Sequence, residues 1–362
     1  VEAVAALAVH PNACAARLRG PAALRAASCI LIMIQQRPFG RTGRKISELT
    51  LGTLNFGWQT DEATAFALLD AYHAAGGNAI QTAALGADRS APSLALMQTE
   101  DLVARWRQSR GIPDGWLLIA TRFRLRPAGD ERGAFARALR RQCEESLRRL
   151  RTARLDLVLF EWDGERVPVD EMLAAFDQVV RAGLVRSLGV ADMPAWRVAD
   201  CLSRAYRNNW CRWEALQADY SLMVRARFEP EAMALCREQR LAFLARSPLA
   251  GGFLTRREDG EDSLPFTRRH WLNARFDNAY GEAALAAVAE IAARHEASPA
   301  QVALAWVLRN PVVTSATIGV RSLGQLDELV QGSRLVLSEV DCAQLAAATA
   351  AEEVRLADPC LV

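Results

Sequence analysis

Leu155-Asp156-Leu157-Val158-Leu159-Phe160-Glu161 is followed by an amphipathic run over 170–182, then Gly183, then Val185-Arg186-Ser187-Leu188-Gly189-Val190. The two outer segments are short, apolar and bounded by turn or polar residues, as strands buried on both faces of a parallel sheet are. The segment between them has helical spacing, and Gly183 follows it as a C-terminal cap. The pattern is strand, helix, strand, and it recurs along the chain. Further strand candidates cover 48–55, 78–83, 116–123, 214–218, 241–245 and 314–318. Helical spacing predicts helices over 61–75, which stops at Gly76-Gly77, and over 132–150, with Phe135, Leu139, Cys143 and Leu147 on one stripe. Two more follow over 283–294 and 299–309, the latter with Ser298 as N-cap and Pro299 at its first position. Eight strands alternating with helices over about 300 residues fit a closed (β/α)8 barrel better than an open sheet. No G-x-G-x-x-G follows an early strand, so the usual dinucleotide fingerprint is absent. A barrel of this kind carries its chemistry at the C-terminal strand ends.

The composition removes several function classes. Of 362 residues, 51% are hydrophobic, and Lys+Arg 44 against Asp+Glu 42 gives +2. That balance does not point to nucleic acid or to an anionic membrane surface, and no run reaches the roughly 18–20 apolar residues of a transmembrane helix. Lys45 is the only lysine, so any chemistry that needs an ammonium must use it. The eight cysteines form no C-x-x-C, and His10, His73, His270 and His295 are isolated. A metal site or disulfide framework is therefore not expected, and free thiols point to the cytoplasm. Residues 1–36 are rich in Ala and Arg with Glu2 as the sole acid. They read as a poorly ordered extension upstream of a natural start at Met33, and 37–362 reads as the barrel. Arg105, Arg107 and Arg110 read as a solvated helix face, and Trp58, Trp162 and Trp196 as loop residues near a pocket.

Several segments in order resemble the aldo-keto reductase family over 37–350: Phe39-Gly40-Arg41-Thr42-Gly43, Leu51-Gly52-Thr53-Leu54-Asn55-Phe56-Gly57, Gly183-Leu184-Val185-Arg186-Ser187-Leu188-Gly189-Val190, Gln217 with Tyr220, Ser247-Pro248-Leu249-Ala250-Gly251-Gly252-Phe253-Leu254-Thr255, and Ile318-Gly319-Val320-Arg321-Ser322 leading to Gln325-Leu326. The resemblance implies a barrel whose N-terminal end carries a β-hairpin and NADP(H) laid across the mouth. It assigns to the cofactor Gly52, Thr53, Asp192, Gln217, Arg246, Ser247, Leu249, Gly251, Arg257, Gly319, Arg321, Ser322 and Gln325. Arg321 and Ser322 then face the adenosine 2′-phosphate at the start of a helix, where anions are favoured. Gln217 and Asp192 face the nicotinamide carboxamide.

The catalytic positions of the family are all changed. The motif Asp-Thr-Ala-x-x-Tyr-Gly reads Gln81-Thr82-Ala83-Ala84-Leu85-Gly86-Ala87, so Gln81 replaces the Asp and Gly86 the Tyr acid. Arg122 stands at the Lys position and Glu161 at the His position. Gly86 has no proton to give, and Arg122 is a fixed cation outside any proton relay. Glu161 resembles the carboxyl of the family's steroid double-bond reductases; the alternative is an ion pair with Arg122 closing the barrel floor. Arg246 replaces the aromatic that stacks on nicotinamide and is expected to repel an oxidised ring. Three functions stay open: an NADP(H)-dependent oxidoreductase whose site is rebuilt around Glu161, Arg122 and Gln81, acting on a carbonyl or conjugated C=C; a catalytically inactive NADP(H)-binding sensor or partner domain; and a non-redox isomerase or lyase with Glu161 as base.

Overall fold

A computed structural model describes residues 33–57, 59–83, 93–125, 133–162, 164, 167–255 and 275–350. The expectations for residues 1–32, Trp58, Gly86 and Arg257 lie outside the described residues. Eight parallel strands close into a barrel: β3 (Leu49–Gly52), β4 (Ala79–Ala83), β5 (Leu118–Phe123), β6 (Leu155–Glu161), β7 (Val185–Ala191), β8 (Trp213–Asp219), β9 (Ala242–Arg246) and β10 (Val313–Gly319), with β10 paired to both β9 and β3. Each of the eight overlaps a segment expected from the sequence. Around them run α1 (Glu62–Ala74), α2 (Ser93–Ser109), α3 (Ala134–Leu150), α4 (Val169–Arg181), α5 (Ala195–Arg207), α6 (Ala232–Gln239), α7 (Ala279–Arg294), α8 (Pro299–Arg309), α9 (Leu323–Gly332) and α10 (Glu339–Ala348). The Ser298 cap forms as a full capping box with Gln301.

An antiparallel hairpin, β1 (Gln36–Pro38) with β2 (Lys45–Ser47), closes the N-terminal end. Alternation along the strands turns every second side chain inward. Ala79, Leu118, Ala120, Leu157, Leu159, Ala215, Ala242 and Leu244 pack there against Phe39 and Ile46 of the hairpin as an apolar plug. Arg37 donates to the carbonyls of Val313 and Leu308 and pairs with buried Glu48, and Arg44 reaches Asp156. These bonds fix the hairpin to the strand starts, so the opposite end is left for chemistry.

Some expectations change. The boundary at residue 36 falls inside β1: Gln36 pairs with Ser47, and Ile34 is buried and donates its N–H to Ala75. The two glutamines at 35 and 36 hid a strand whose polar side chains face outward. Arg107 is buried rather than solvated. It pairs with Asp114 and donates to the carbonyls of Leu150 and Arg151 at the end of α3. Arg105 and Arg110 are ion-paired to Glu62 and Asp70. Trp196 lies in the first turn of α5, with Arg197 over its ring, rather than on a loop. The helix after the last strand, α9, is followed by another, α10, which was not among the expected helices.

Candidate active site

The inward row of each strand ends at the C-terminal mouth, and there the residues change from apolar to polar. In the layer above the plug, Gln81 and Gln217 exchange amide hydrogen bonds of 3.2 and 2.7 Å, and Thr317 donates to Gln81 Oε1 at 3.2 Å. Thr53 is buried, with its N–H and hydroxyl both on the Gln81 carbonyl. Above this layer the charges form a chain. Glu161 takes Arg122 at 2.9 Å on one oxygen and Arg124 at 3.4 Å on the other. Arg122 continues to Asp192 at 3.2 Å, Arg246 grips Asp192 with two bonds of 2.7 and 2.9 Å, and Arg246 Nε donates to Asp219 at 2.7 Å.

Two left-handed non-glycine residues lie at the same place. Asp192 and Ser247, the first residues after β7 and β9, have φ of 62° and 53°. Non-glycine residues seldom adopt this region, and where they do the surrounding structure holds them there. Asp192 is held by its two arginine partners.

The charges tune one another. Burial lifts the Glu161 carboxyl above its ordinary value, and Arg122 and Arg124 hold back part of that rise. Burial and the neighbouring Arg246 lower Arg122, against Glu161 and Asp192. For Asp219 burial is outweighed by Arg246, which holds the carboxyl below its ordinary range. Arg246 is likewise kept above its ordinary value by Asp219 and Asp192 in spite of burial. With two carboxylates on Arg246, the expected repulsion of an oxidised nicotinamide is opposed by the larger negative charge beside it.

The sequence expectation of a Glu161–Arg122 pair has its geometry here, and Gln81 sits beside Gln217. Arg124, Asp219 and Thr317 join the site without having been singled out. The signal for the first two was available: Arg124 is two residues from Arg122, and Asp219 two from Gln217, on the same inward rows. No tyrosine or lysine can take the missing roles. Of the four tyrosines in the chain, Tyr72 is buried between Leu49 and Ala79, Tyr206 is exposed on α5, Tyr220 packs among Phe228, Phe243 and Trp306, and the Tyr280 hydroxyl lies against the Leu222 and Met223 carbonyls. Lys45 lies on β2 at the closed end.

The residues assigned to the cofactor divide into two sets. At the β10–α9 turn, Gly319 is exposed, and a Cβ there would meet nothing within 4 Å. The protein's own packing does not demand this glycine, and the space above it suits a close phosphate. Ser322 caps α9, its hydroxyl accepting from the Gln325 N–H, and Gln325 accepts from the Arg321 N–H. Gly251 turns at φ 71° beside half-buried Leu249. A Cβ on Gly52 would stand 3.2 Å from the Ile318 carbonyl, so that glycine serves strand packing. The phosphate end fits a dinucleotide. At the other end, the Gln217 amide and the Asp192 carboxylate already have protein partners.

A cavity of about 460 Å³ lies elsewhere, at the closed end, lined by Arg41, Leu202, Tyr206, Trp210, Arg212 and Gln239. Among the described residues no group of three or more His, Cys, Asp or Glu could hold a metal, and no helix is long and apolar enough to cross a membrane.

Residues 48–350 match the Aldo/keto reductase family. Similar proteins include the uncharacterized oxidoreductase YrpG of Bacillus subtilis, 30% identical over 83% of this chain and 91% of its own length. Protein tas of Escherichia coli is 31% identical over 84% and 94%. Norsolorinic acid reductase stcV of Emericella nidulans is 30% identical over 82% and 76%. This chain belongs to the aldo-keto reductase family, a family of NAD(P)H-linked oxidoreductases.

Proposed function

We propose that the chain is an NADP(H)-dependent oxidoreductase with a rebuilt mouth, in which arginine charge replaces the tyrosine acid. The observation that carries this reading is the convergence of Arg122 and Arg124 on Glu161 at the mouth, with all four tyrosines and Lys45 elsewhere. A bound nicotinamide supplies hydride. The chain's own part is to hold the negative charge that builds on the substrate's carbonyl oxygen, which guanidinium groups in a partly dry site do well. Reduction of a conjugated C=C suits such a site, because the enolate oxygen needs charge stabilisation and carbon takes its proton from water afterwards. Glu161 then holds the two arginines in place. The reductase and oxidoreductase names of the relatives are in keeping with this reading.

A second reading is a cofactor-binding protein without turnover. It is favoured by the engagement of Gln217 with Gln81 and of Asp192 with Arg246, which leaves the carboxamide no free partner. One experiment separates the two. Nucleotide-free protein is titrated with NADPH and NADH by fluorescence, and oxidation of bound NADPH is then followed with cyclohexenone, with benzaldehyde and with a carboxylate-bearing counterpart of each. Turnover of the enone supports the oxidoreductase; tight binding without any turnover supports the second reading; absence of binding removes both. Because Arg321 is assigned to the 2′-phosphate, Arg321→Ala is expected to weaken NADPH about tenfold or more, the scale of a charge-assisted bond, and NADH little. Equal losses for both nucleotides would refute that assignment.

A further inference from the structure

Arg122 and Arg124 are two residues apart in extended chain, so both side chains turn to the same face. Among the described residues they share one carboxylate, Glu161, with one guanidinium on each oxygen. Arg122 also touches Asp192, a carboxylate that Arg246 already grips with two bonds. The Nε atoms of Arg122 and Arg124 are both buried without a hydrogen-bond partner, and Glu161 Oε2 makes no aligned bond despite lying 2.9 Å from Arg122. Native proteins pair nearly all such buried donors. The side chains as a whole keep 18% and 12% of their surface open.

The charge is divided in the same way. Among the described residues Arg122 and Arg124 share Glu161 over β5 and β6, while over β7 to β9 Arg246 faces two carboxylates, Asp192 and Asp219, with Arg275 also acting on Asp219. On the β5–β6 side cations therefore outnumber carboxylates among the described residues, and there donors lack acceptors. A guanidinium presents its donors as a planar fork matched to a carboxylate.

We infer that Arg122 and Arg124 form the docking site of a carboxylate-bearing ligand, so that the substrates of this mouth are small organic acids. This deepens the oxidoreductase reading by naming its substrate class. The docked carboxylate adds an acceptor for the open part of the two arginine side chains, and Asp192 and Asp219 disfavour it over β7 to β9.

The test compares benzoate with benzamide, which have nearly the same shape and differ in charge. Binding is measured by calorimetry and ligand-observed NMR on protein free of nucleotide and on protein saturated with NADP+. Benzoate is expected to bind about tenfold tighter than benzamide, the scale of one charge-assisted contact. Arg124→Gln removes that preference, and Arg124→Lys retains part of it. Glu161→Gln removes the competing carboxylate and is expected to tighten benzoate about threefold or more while leaving benzamide unchanged, a gain that a merely structural role for Glu161 would not produce. If Arg124→Gln fails to fold, the Arg124→Lys and Glu161→Gln arms decide. Equal affinities, no benzoate binding, or weaker benzoate binding in Glu161→Gln overturns the inference. NADP+ affinity is read in a separate titration, so loss of the cofactor reading and loss of the carboxylate site are distinguishable.

Discussion

Replacing Arg246 by Gln lowers the unfolding free energy at pH 7 by about 3 kcal/mol, the low end for removing one partner of a buried ion pair. Arg246 donates to Asp219 and is the bidentate partner of Asp192. Its loss leaves two neighbouring carboxylates without their shared cation. The pH dependence gives the sign. In the native chain Asp219 is held below its ordinary range, so its stabilising contribution is present above about pH 3.9, the unfolded value. It is lost as pH falls through the folded pKa. Without Arg246, burial is left opposed by Arg275 and Ser247, and the Asp219 pKa rises from its native value. The carboxylate then contributes less stability at neutral pH, and that difference narrows on acidification. Urea unfolding at pH 7 and pH 5 should show the variant's deficit shrinking toward acid. A deficit that is the same at both values would mean that Arg246 acts by packing and not by charge.

The charge chain also shows which parts of the molecule could be read in advance. The strands were legible because parallel barrel strands are covered on both faces, which makes continuous apolar runs such as Leu155–Phe160 easy to see. Caps such as Ser298 and stops such as Gly183 are local and were equally visible. The mouth was legible as a set of odd residues but not as a network. Asp219 meets Arg246 because β8 and β9 pair in a register that puts these two residues opposite each other, and register is a property of the closed barrel. Gln81 and Gln217 were each noticed, yet they lie 136 residues apart, and only closure brings them together. Arg107 misled for the opposite reason. Its neighbours Arg105 and Arg110 lie on an outer face, while its own guanidinium turns under the end of α3 to the Leu150 and Arg151 carbonyls.

At the far end of the barrel a single methyl group should be nearly as damaging. Gly77→Ala is expected to lower stability by about 3 kcal/mol, combining overpacking with loss of buried hydrogen bonds. A Cβ at Gly77 would fall 2.2–2.5 Å from ring carbons of Tyr72. That ring cannot move aside freely. Its hydroxyl lies 2.7 Å from the carbonyls of Leu49 and Ala79 and 2.8 Å from Ser47 Oγ, and it accepts from the Ala79 N–H at 3.2 Å. Tyr72 thus ties the end of α1 to the starts of β3 and β4, and displacing it leaves these groups unpaired out of reach of water. The two terms can be separated with Tyr72→Leu, which removes both the ring that would clash and the bonds that would break. Equilibrium unfolding of Gly77→Ala, Tyr72→Leu and the double variant forms a cycle. The double variant should be little worse than Tyr72→Leu alone, because the added methyl then enters the space the ring has left. Additive losses would show that Gly77 is required by the backbone after the left-handed Gly76, and not by the tyrosine above it.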